Sequence, residues 1–471
     1  MSANLQIISH KQFAWLICSL LTGGGLLSIQ HEMFRIAKLN AWMTFLLPAL
    51  YALLVAWVLT KLAIRFPRKH LFEITSIIFG RFFGTLINLI ILVHIWFILM
   101  RNLKSFSQFI GTTLLPNTPP GILIMLFMLL LIFYGRSSVE VVARVNELFF
   151  PFFFLQIILS PIVLSNEIDR RLITPIVTLD LTNYSFASLL GFGWFGDILV
   201  AGAFLHTLWS ARQARSALRL GIITSAVLLS LSMFMQLIVL GPIISGNMTY
   251  PNYSLVQHIH ITDFLDRMDL FILSIWYPIN ACKIIAVYLA FLIGLASLFK
   301  QREYTLINSP ASLFLLLTTT LAFTSTTEVL SFEKFSTPVI VACYQPLLLI
   351  GLMIGARRFP PPRQERAGGG AHSPPDGHSE QADTGQKAEA GNRRNGRLSR
   401  VPASVWKLVG NGLLLLCIIF SATGLFLGTD YASVGIICGS GYALCLIAAA
   451  ATSLIELKKT DKFNPRPPSS R

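Results

Sequence analysis

Apolar runs of about 20 residues, such as "FFGTLINLIILVHIWFILM" at 82–100, recur from one end of the chain to the other. That length crosses a hydrocarbon core of about 30 Å as a helix. Lipid offers no partner for a backbone N–H or C=O, so each run must satisfy its own backbone groups, which a helix does. Each is also far longer than the roughly 10 residues of a barrel strand. The chain is 54% hydrophobic and only 13% charged, against about 25% charged in an ordinary soluble domain. The expected class is an all-α polytopic membrane protein. The opening "MSANLQIISHKQ" is short and polar, without the pattern of a signal peptide, so the first span is expected to stay in the membrane.

Twelve spans are expected: 12–31, 41–64, 82–107, 120–134, 140–164, 188–209, 217–244, 266–297, 309–327, 338–356, 404–428 and 431–455. The net charge of +15 would fit a nucleic-acid binder, but the basic residues sit in short loops and tails, as membrane orientation requires, and no nucleic acid is expected as a partner. With the N-terminus inside, the inner loops carry Arg65, Arg68, Lys69, Arg81, Arg136, Arg144, Arg212, Arg215, Arg219, Lys300 and Arg302. The outer loops carry Arg35, Lys38, Arg101, Lys104, Arg170, Arg171 and Lys334. Eleven against seven favours both termini on the inner side. Residues 1–356 then form a ten-helix core and 357–403 a linker. A two-helix hairpin at 404–457 and a basic tail at 458–471 follow. The linker is rich in Pro, Gly and charge and nearly devoid of apolar residues, so disorder is expected there. The spacings Gly424–Gly428 and Gly435–Gly439 suit close packing of the last two helices.

Two segments interrupt themselves with glycine: "LTGGGLLSIQ" in the first span and "LLGFGWFGDI" in the sixth. Each begins a block of five spans. Five is odd, so the second block enters from the opposite face and the blocks are inverted repeats. Glycine-interrupted segments at matching positions of two halves point to a midplane site, where unwound backbone lines a cavity. The expected ligand-binding residues are therefore Thr22, Gly23, Gly24 and Gly25 in the first span, with Gly191, Gly193, Trp194, Gly196 and Asp197 in the sixth. Asp197 is either a partner for a cation or ammonium group, or a cap on the second half-helix. Close helix packing is the competing explanation for the glycines.

Other polar groups at membrane depth are few. Arg144 and Glu147 are spaced for an i, i+3 ion pair, structural or in coupling. Lys283, in "WYPINACKII", needs a partner or a cavity. His94 and His206 read as packing histidines. "HIHITD" (His258, His260, Asp263) has too weak a spacing to claim a metal, and the six cysteines lack ligand spacing and read as buried small hydrophobes. No phosphate loop, nucleophile elbow or zinc-hydrolase motif is present, so no enzymatic activity, metal or cofactor is expected.

Four stretches resemble the spore germination permeases, the B subunits of nutrient germinant receptors, within the amino acid–polyamine–organocation transporter superfamily. They are "ISHKQFAWLICSLLTGGGLLSI", "FGRFFGTLINLIILVHIWFILMRNLKSFSQFIGTTLLPNTPP", "SSVEVVARVNELFFPFFFL" and "FLDRMDLFILSIWYPINACKI". The third matches the family through Glu140, Ala143, Arg144 and Glu147, and the fourth through Arg267, Asp269, Trp276 and Lys283. The resemblance covers about residues 5–357. It implies a LeuT-like core of five-plus-five inverted repeats in the spore inner membrane. It implies a small nutrient, commonly an L-amino acid, held between the broken first and sixth helices and the third and eighth. Besides membrane lipid, the implied partners are an A-type membrane subunit and a C-type lipoprotein. Two features depart from the family: Gln30 follows the first glycines where a proline is common, and relatives usually stop near the tenth helix. An ion-coupled amino acid permease of the same fold is the competing function.

Overall fold

The computed structural model describes residues 8–26, 29–173, 177, 180–208, 210–259, 268–301, 305–360, 402–428 and 431–462. Residues 361–401 of the expected linker and 463–471 of the expected tail lie outside the described residues, as do His260, Asp263 and Arg267, while 458–462 of the expected tail continue the last helix. Among the described residues ten helices are long and apolar enough to cross a membrane, and a bent pair, taken as one span, makes eleven.

The bent pair comes first. Helix α1 (His10–Gly25) opens with a capping box, the Ser9 side chain accepting from the Gln12 N–H while the Gln12 side chain accepts from the Ser9 N–H. The axis of α1 is bent by 65° from the helical stretch beyond it, which opens with α2 (Ile29–Ala37). α1 stays helical through Gly23, Gly24 and Gly25, so the break follows the glycines rather than falling among them. α3 (Leu46–Arg65) comes next. α4 (Leu71–Thr113) kinks at Gly80, whose φ of 78° and ψ of −178° lie outside the helical region. The amide of Asn88 bridges the kink, donating to the Phe72 carbonyl at 2.9 Å and the Ser76 hydroxyl at 3.1 Å.

α4 starts eleven residues before the expected third span and runs past it, so Arg101 and Lys104, counted above with an outer loop, lie within a helix. α5 (Pro120–Tyr134) has 15 residues, about 22 Å at 1.5 Å per residue and short for a full crossing. α6 (Val139–Val163) completes the first block.

The second block opens with α7 (Leu181–Phe195), which tightens without interruption into a twelve-residue 3-10 segment, Gly196–Thr207. The expected unwinding at Gly191 and Gly193 does not occur, because packing fills the space a side chain would take. A Cβ on Gly191 would lie 2.5 Å from Pro48, one on Gly193 3.1 Å from the Pro338 nitrogen, and one on Gly196 2.6 Å from Val341. The irregularity is a change of helix type at Gly196.

α8 (Ala211–Val239) is followed by two short helices, α9 (Gly241–Asn247) and α10 (Pro251–Gln257). Then come α11 (Met268–Phe299) and α12 (Thr305–Ala322). The tenth span is α13 (Thr326–Ser331), a π-helical turn at Phe332–Ser336, and α14 (Thr337–Ala356). It therefore takes in Lys334, assigned above to an outer loop.

α15 (Ala403–Leu427) and α16 (Ala432–Lys462) form the hairpin, whose main contact with the core runs from α16 to α8. Close approach of the two helices explains the glycine spacing, since a Cβ on Gly424 would lie 3.1 Å from that of Cys438. The hairpin docks through the buried pair Arg219–Glu456 at 3.1 Å and through Tyr442, whose ring meets Trp42 edge-on at 5.2 Å. Large apolar side chains such as Phe82, Leu347 and Leu408 point outward, as lipid-facing surface allows.

Candidate ligand site

Near the centre of the bundle, five elements bring charged and aromatic groups together. α1 packs against α6, α8 and α11, and its glycines let neighbouring side chains reach its backbone. A Cβ on Gly24 would lie 1.9 Å from the Trp194 ring and 2.6 Å from Lys283 Nζ, and one on Gly23 2.8 Å from Asn280 Oδ1. Gly25 faces Leu229 on α8 instead, and Thr22 is engaged with its own helix, donating to the Cys18 carbonyl at 2.7 Å.

Arg101 on α4 donates from Nη2 to Asp197 Oδ2 at 2.6 Å, with the side chains 1% and 0% exposed. Its guanidinium lies 4.1 Å from the centre of the Trp194 ring, and Lys283 Nζ lies 4.8 Å from the same ring. Such stacking of a cation on an indole is attractive when both are shielded from water. Several buried polar atoms here have no hydrogen-bond partner among the described residues: Arg101 Nε and Nη1, Asp197 Oδ1, Lys283 Nζ and Trp194 Nε1. Buried polar groups are ordinarily paired, so a cluster of orphans is informative.

Thus the structure joins Gly23, Gly24, Trp194, Asp197 and Lys283. It places Gly191, Gly193 and Gly196 on faces of α7 and the 3-10 segment that meet Pro48, Pro338 and Val341. Asp197 is not a helix cap; its carboxylate is turned to Arg101. Arg101 is the residue that sequence reasoning missed. Its flanks, "FILM" before and "NLKSF" after, hold no Gly or Pro, and the turn chemistry "LPNTPP" arrives only at 115–120, which marks it as interior to a helix.

The proposed Arg144–Glu147 pair is not formed. Arg144 pairs with Glu140 at i, i+4, the favoured order with the acid N-terminal, and Glu147 accepts from Gln12 Nε2 at 2.6 Å. His94 meets the Tyr344 hydroxyl at 2.5 Å, while Gln345 donates to the Gly196 carbonyl at 2.9 Å and accepts from the Tyr51 hydroxyl at 2.8 Å. These bonds tie α3, α4 and α14 to the start of the 3-10 segment. On α2, Gln30 accepts from Gln236 of α8 at 2.6 Å, and Glu32 pairs with Lys334 of the π turn at 2.8 Å.

Two cavities lie apart from this cluster. A groove of about 940 Å³ runs between α1, α6, α8 and α16, lined by apolar residues such as Trp15, Phe150 and Leu446. Another, of about 340 Å³, reaches from Leu26 and Phe109 to Tyr253 and Trp276. Size alone would choose the groove, but the unpaired charges choose the cluster, and a recognition site needs convergent polar groups. Among the described residues no group of three or more His, Cys, Asp or Glu is placed to hold a metal ion.

Residues 7–328 match the family described as spore germination protein, known as spore permease. The chain belongs to that family. Its relatives in Bacillus subtilis (strain 168) include spore germination protein YfkT, 27% identical over 67% of this chain and 88% of the relative. Spore germination protein B2 is 23% identical over 63% of this chain and 81% of its own length. Spore germination protein KB is 23% identical over 66% and 83%. Among solved structures, Mhp1, a nucleobase-cation-symport-1 family transporter in a closed conformation with bromovinylhydantoin bound, aligns over 98% of this chain and 94% of its own. The TM-score is 0.53 at 12% identity, a likeness of fold, and the fold is the LeuT-like transporter core of inverted repeats. This spore germination permease carries the hairpin of α15 and α16 beyond the residues that match the family.

Proposed function

We propose that this protein is the nutrient-binding membrane subunit of a spore germinant receptor, set in the spore inner membrane with both termini on the core side. A small nutrient, commonly an L-amino acid, binds beside Gly23 and Gly24, among Arg101, Trp194, Asp197 and Lys283. Its binding is passed to an A-type membrane subunit and a C-type lipoprotein, and germination follows. The observation that carries this is the convergence of unpartnered polar atoms on four buried residues from four elements. A bundle held together only by packing has no use for them.

The experiment is a binding screen of the purified full-length protein in lipid nanodiscs against amino acids, nucleosides and sugars, followed by counterflow in liposomes. Saturable binding without counterflow is the expected result for a sensor. Saturable binding with counterflow makes the protein an ion-coupled permease of the same fold. Binding unaffected by Asp197→Asn and Lys283→Met would remove the site from this cluster.

A further inference from the structure

We infer that the central site is built for a carboxylate, held by Arg101 and Lys283, and that the Trp194 indole occupies the place this carboxylate takes. The inference rests on the ligand-binding role proposed above and specifies its chemistry.

Donors outnumber acceptors among the orphaned atoms. Arg101 Nε, Arg101 Nη1, Lys283 Nζ and Trp194 Nε1 have hydrogens to give, and only Asp197 Oδ1 can receive. A ligand that satisfies such a set brings more acceptors than donors. Lys283 is fully buried, and a buried ammonium without a hydrogen-bond partner among the described residues calls for an acceptor.

In this structure, beside the bond from Arg101 to Asp197, both cations face an aromatic ring. Arg101 and Lys283 lie 4.1 and 4.8 Å from the centre of the Trp194 indole. A ring face is a weaker partner for guanidinium and ammonium than a carboxylate, which offers charge-assisted, fork-like hydrogen bonds to arginine. The ring is wedged over Gly24, where any side chain on α1 would strike it. A carboxylate that bonds both Lys283 Nζ and the free Nε–Nη1 edge of Arg101 takes the ammonium from the ring face and so displaces the indole. Trp194 lies two residues before the 3-10 segment begins at Gly196, so its displacement acts directly on the junction between the two helix types.

The test uses the full-length protein in nanodiscs, with the twenty common L-amino acids and their α-amides as probes. Binding is measured by calorimetry and by tryptophan fluorescence. At least one amino acid is expected to bind, with its amide at least tenfold weaker. Arg101→Lys, which keeps the charge but loses the fork, should weaken the acid tenfold while leaving the amide within twofold. Trp194→Leu removes the competing ring and should tighten acid binding threefold or more. Trp194→Phe should abolish the fluorescence change on binding, although seven of the eight tryptophans remain. Acid and amide binding within twofold of one another would overturn the carboxylate assignment alone. An undiminished fluorescence change in Trp194→Phe would overturn the exchange. Binding by none of the probes to folded protein would overturn the underlying ligand role and this inference with it.

Discussion

Removing the carboxylate of Glu456 should loosen the hairpin from the core. Arg219 and Glu456 are 7% and 6% exposed, and one charge-assisted bond of 3.1 Å joins them. Among the described residues the guanidinium makes one other, longer bond, 3.3 Å to the Lys407 carbonyl, and Nη2 has no partner. Glu456→Gln keeps the shape and leaves a buried cation without its anion, a change that costs about 3–5 kcal/mol. Arg219→Met leaves the reciprocal orphan and should cost a similar amount. The double variant Arg219→Met/Glu456→Met buries no charge, and replacing a buried pair by apolar residues is often neutral or stabilising by about 1–4 kcal/mol. A double-mutant cycle read by denaturant titration in mixed micelles should therefore show a coupling of roughly 3 kcal/mol or more, with the double variant near wild type. Losses below about 0.5 kcal/mol in both single variants, or a double variant whose loss is the sum of the two, would refute the idea that this pair fixes the hairpin.

Three further outcomes are expected. Gly24→Ala places a methyl group 1.9 Å from the Trp194 ring and 2.6 Å from Lys283 Nζ, so it should abolish the nutrient response at a stability loss of about 1–3 kcal/mol; Gly412→Ala, with nothing within 4 Å, is the matched control, both read by dose–response and thermal unfolding. Gly80→Ala meets no neighbour, yet φ is 78° with ψ −178°, so denaturant titration should show a loss of about 1–3 kcal/mol from backbone strain alone. His70, which caps α4 and faces Lys69, Glu73 and His206, is pushed down from 6.5 to about 4, first by burial and then by the Lys69 charge. A histidine held below its ordinary value contributes stability that is complete above pH 6.5 and lost as pH falls from 6.5 toward 4, on the order of 3 kcal/mol. His70→Asn should flatten unfolding free energy across that window, and an unchanged pH profile would remove His70 as its source.

The spans were legible because length and hydropathy answer directly to the thickness of the bilayer. The breaks were less so. Glycine frees a backbone but does not force it to unwind, and where Pro48 and Val341 press on Gly191 and Gly196 the missing side chain serves contact. Only the packing partner decides between these uses, and the partner lies more than a hundred residues away in sequence. Asp197 was legible as a polar group needing an explanation, but its explanation, Arg101, sits on α4, 96 residues earlier. Arg144 shows the same limit at short range: Glu140 and Glu147 are both within one helical turn, and only the face turned toward Gln12 assigns the second elsewhere. The hairpin's mutual packing could be read from Gly424 and Gly428, but its docking on α8 depends on Arg219, a residue that charge counting places in an inner loop.

The 3-10 segment at Gly196–Thr207 has a mechanical consequence. Such helices rise about 2.0 Å per residue with 3.0 residues per turn, against 1.5 Å and 3.6 in an α-helix. Over its twelve residues, relaxation to α-helix would shorten the span by about 6 Å and rotate one end against the other by about 240°. A 3-10 run of this length is uncommon, so the segment is a wound coil held at its start by Gln345 on the Gly196 carbonyl and by Arg101 on Asp197. Release of those two holds with relaxation to α-helix would turn and draw in Thr207, whose carbonyl accepts the Ile8 N–H just ahead of α1 at 3.1 Å. That bond joins the two irregular spans at this end of the bundle.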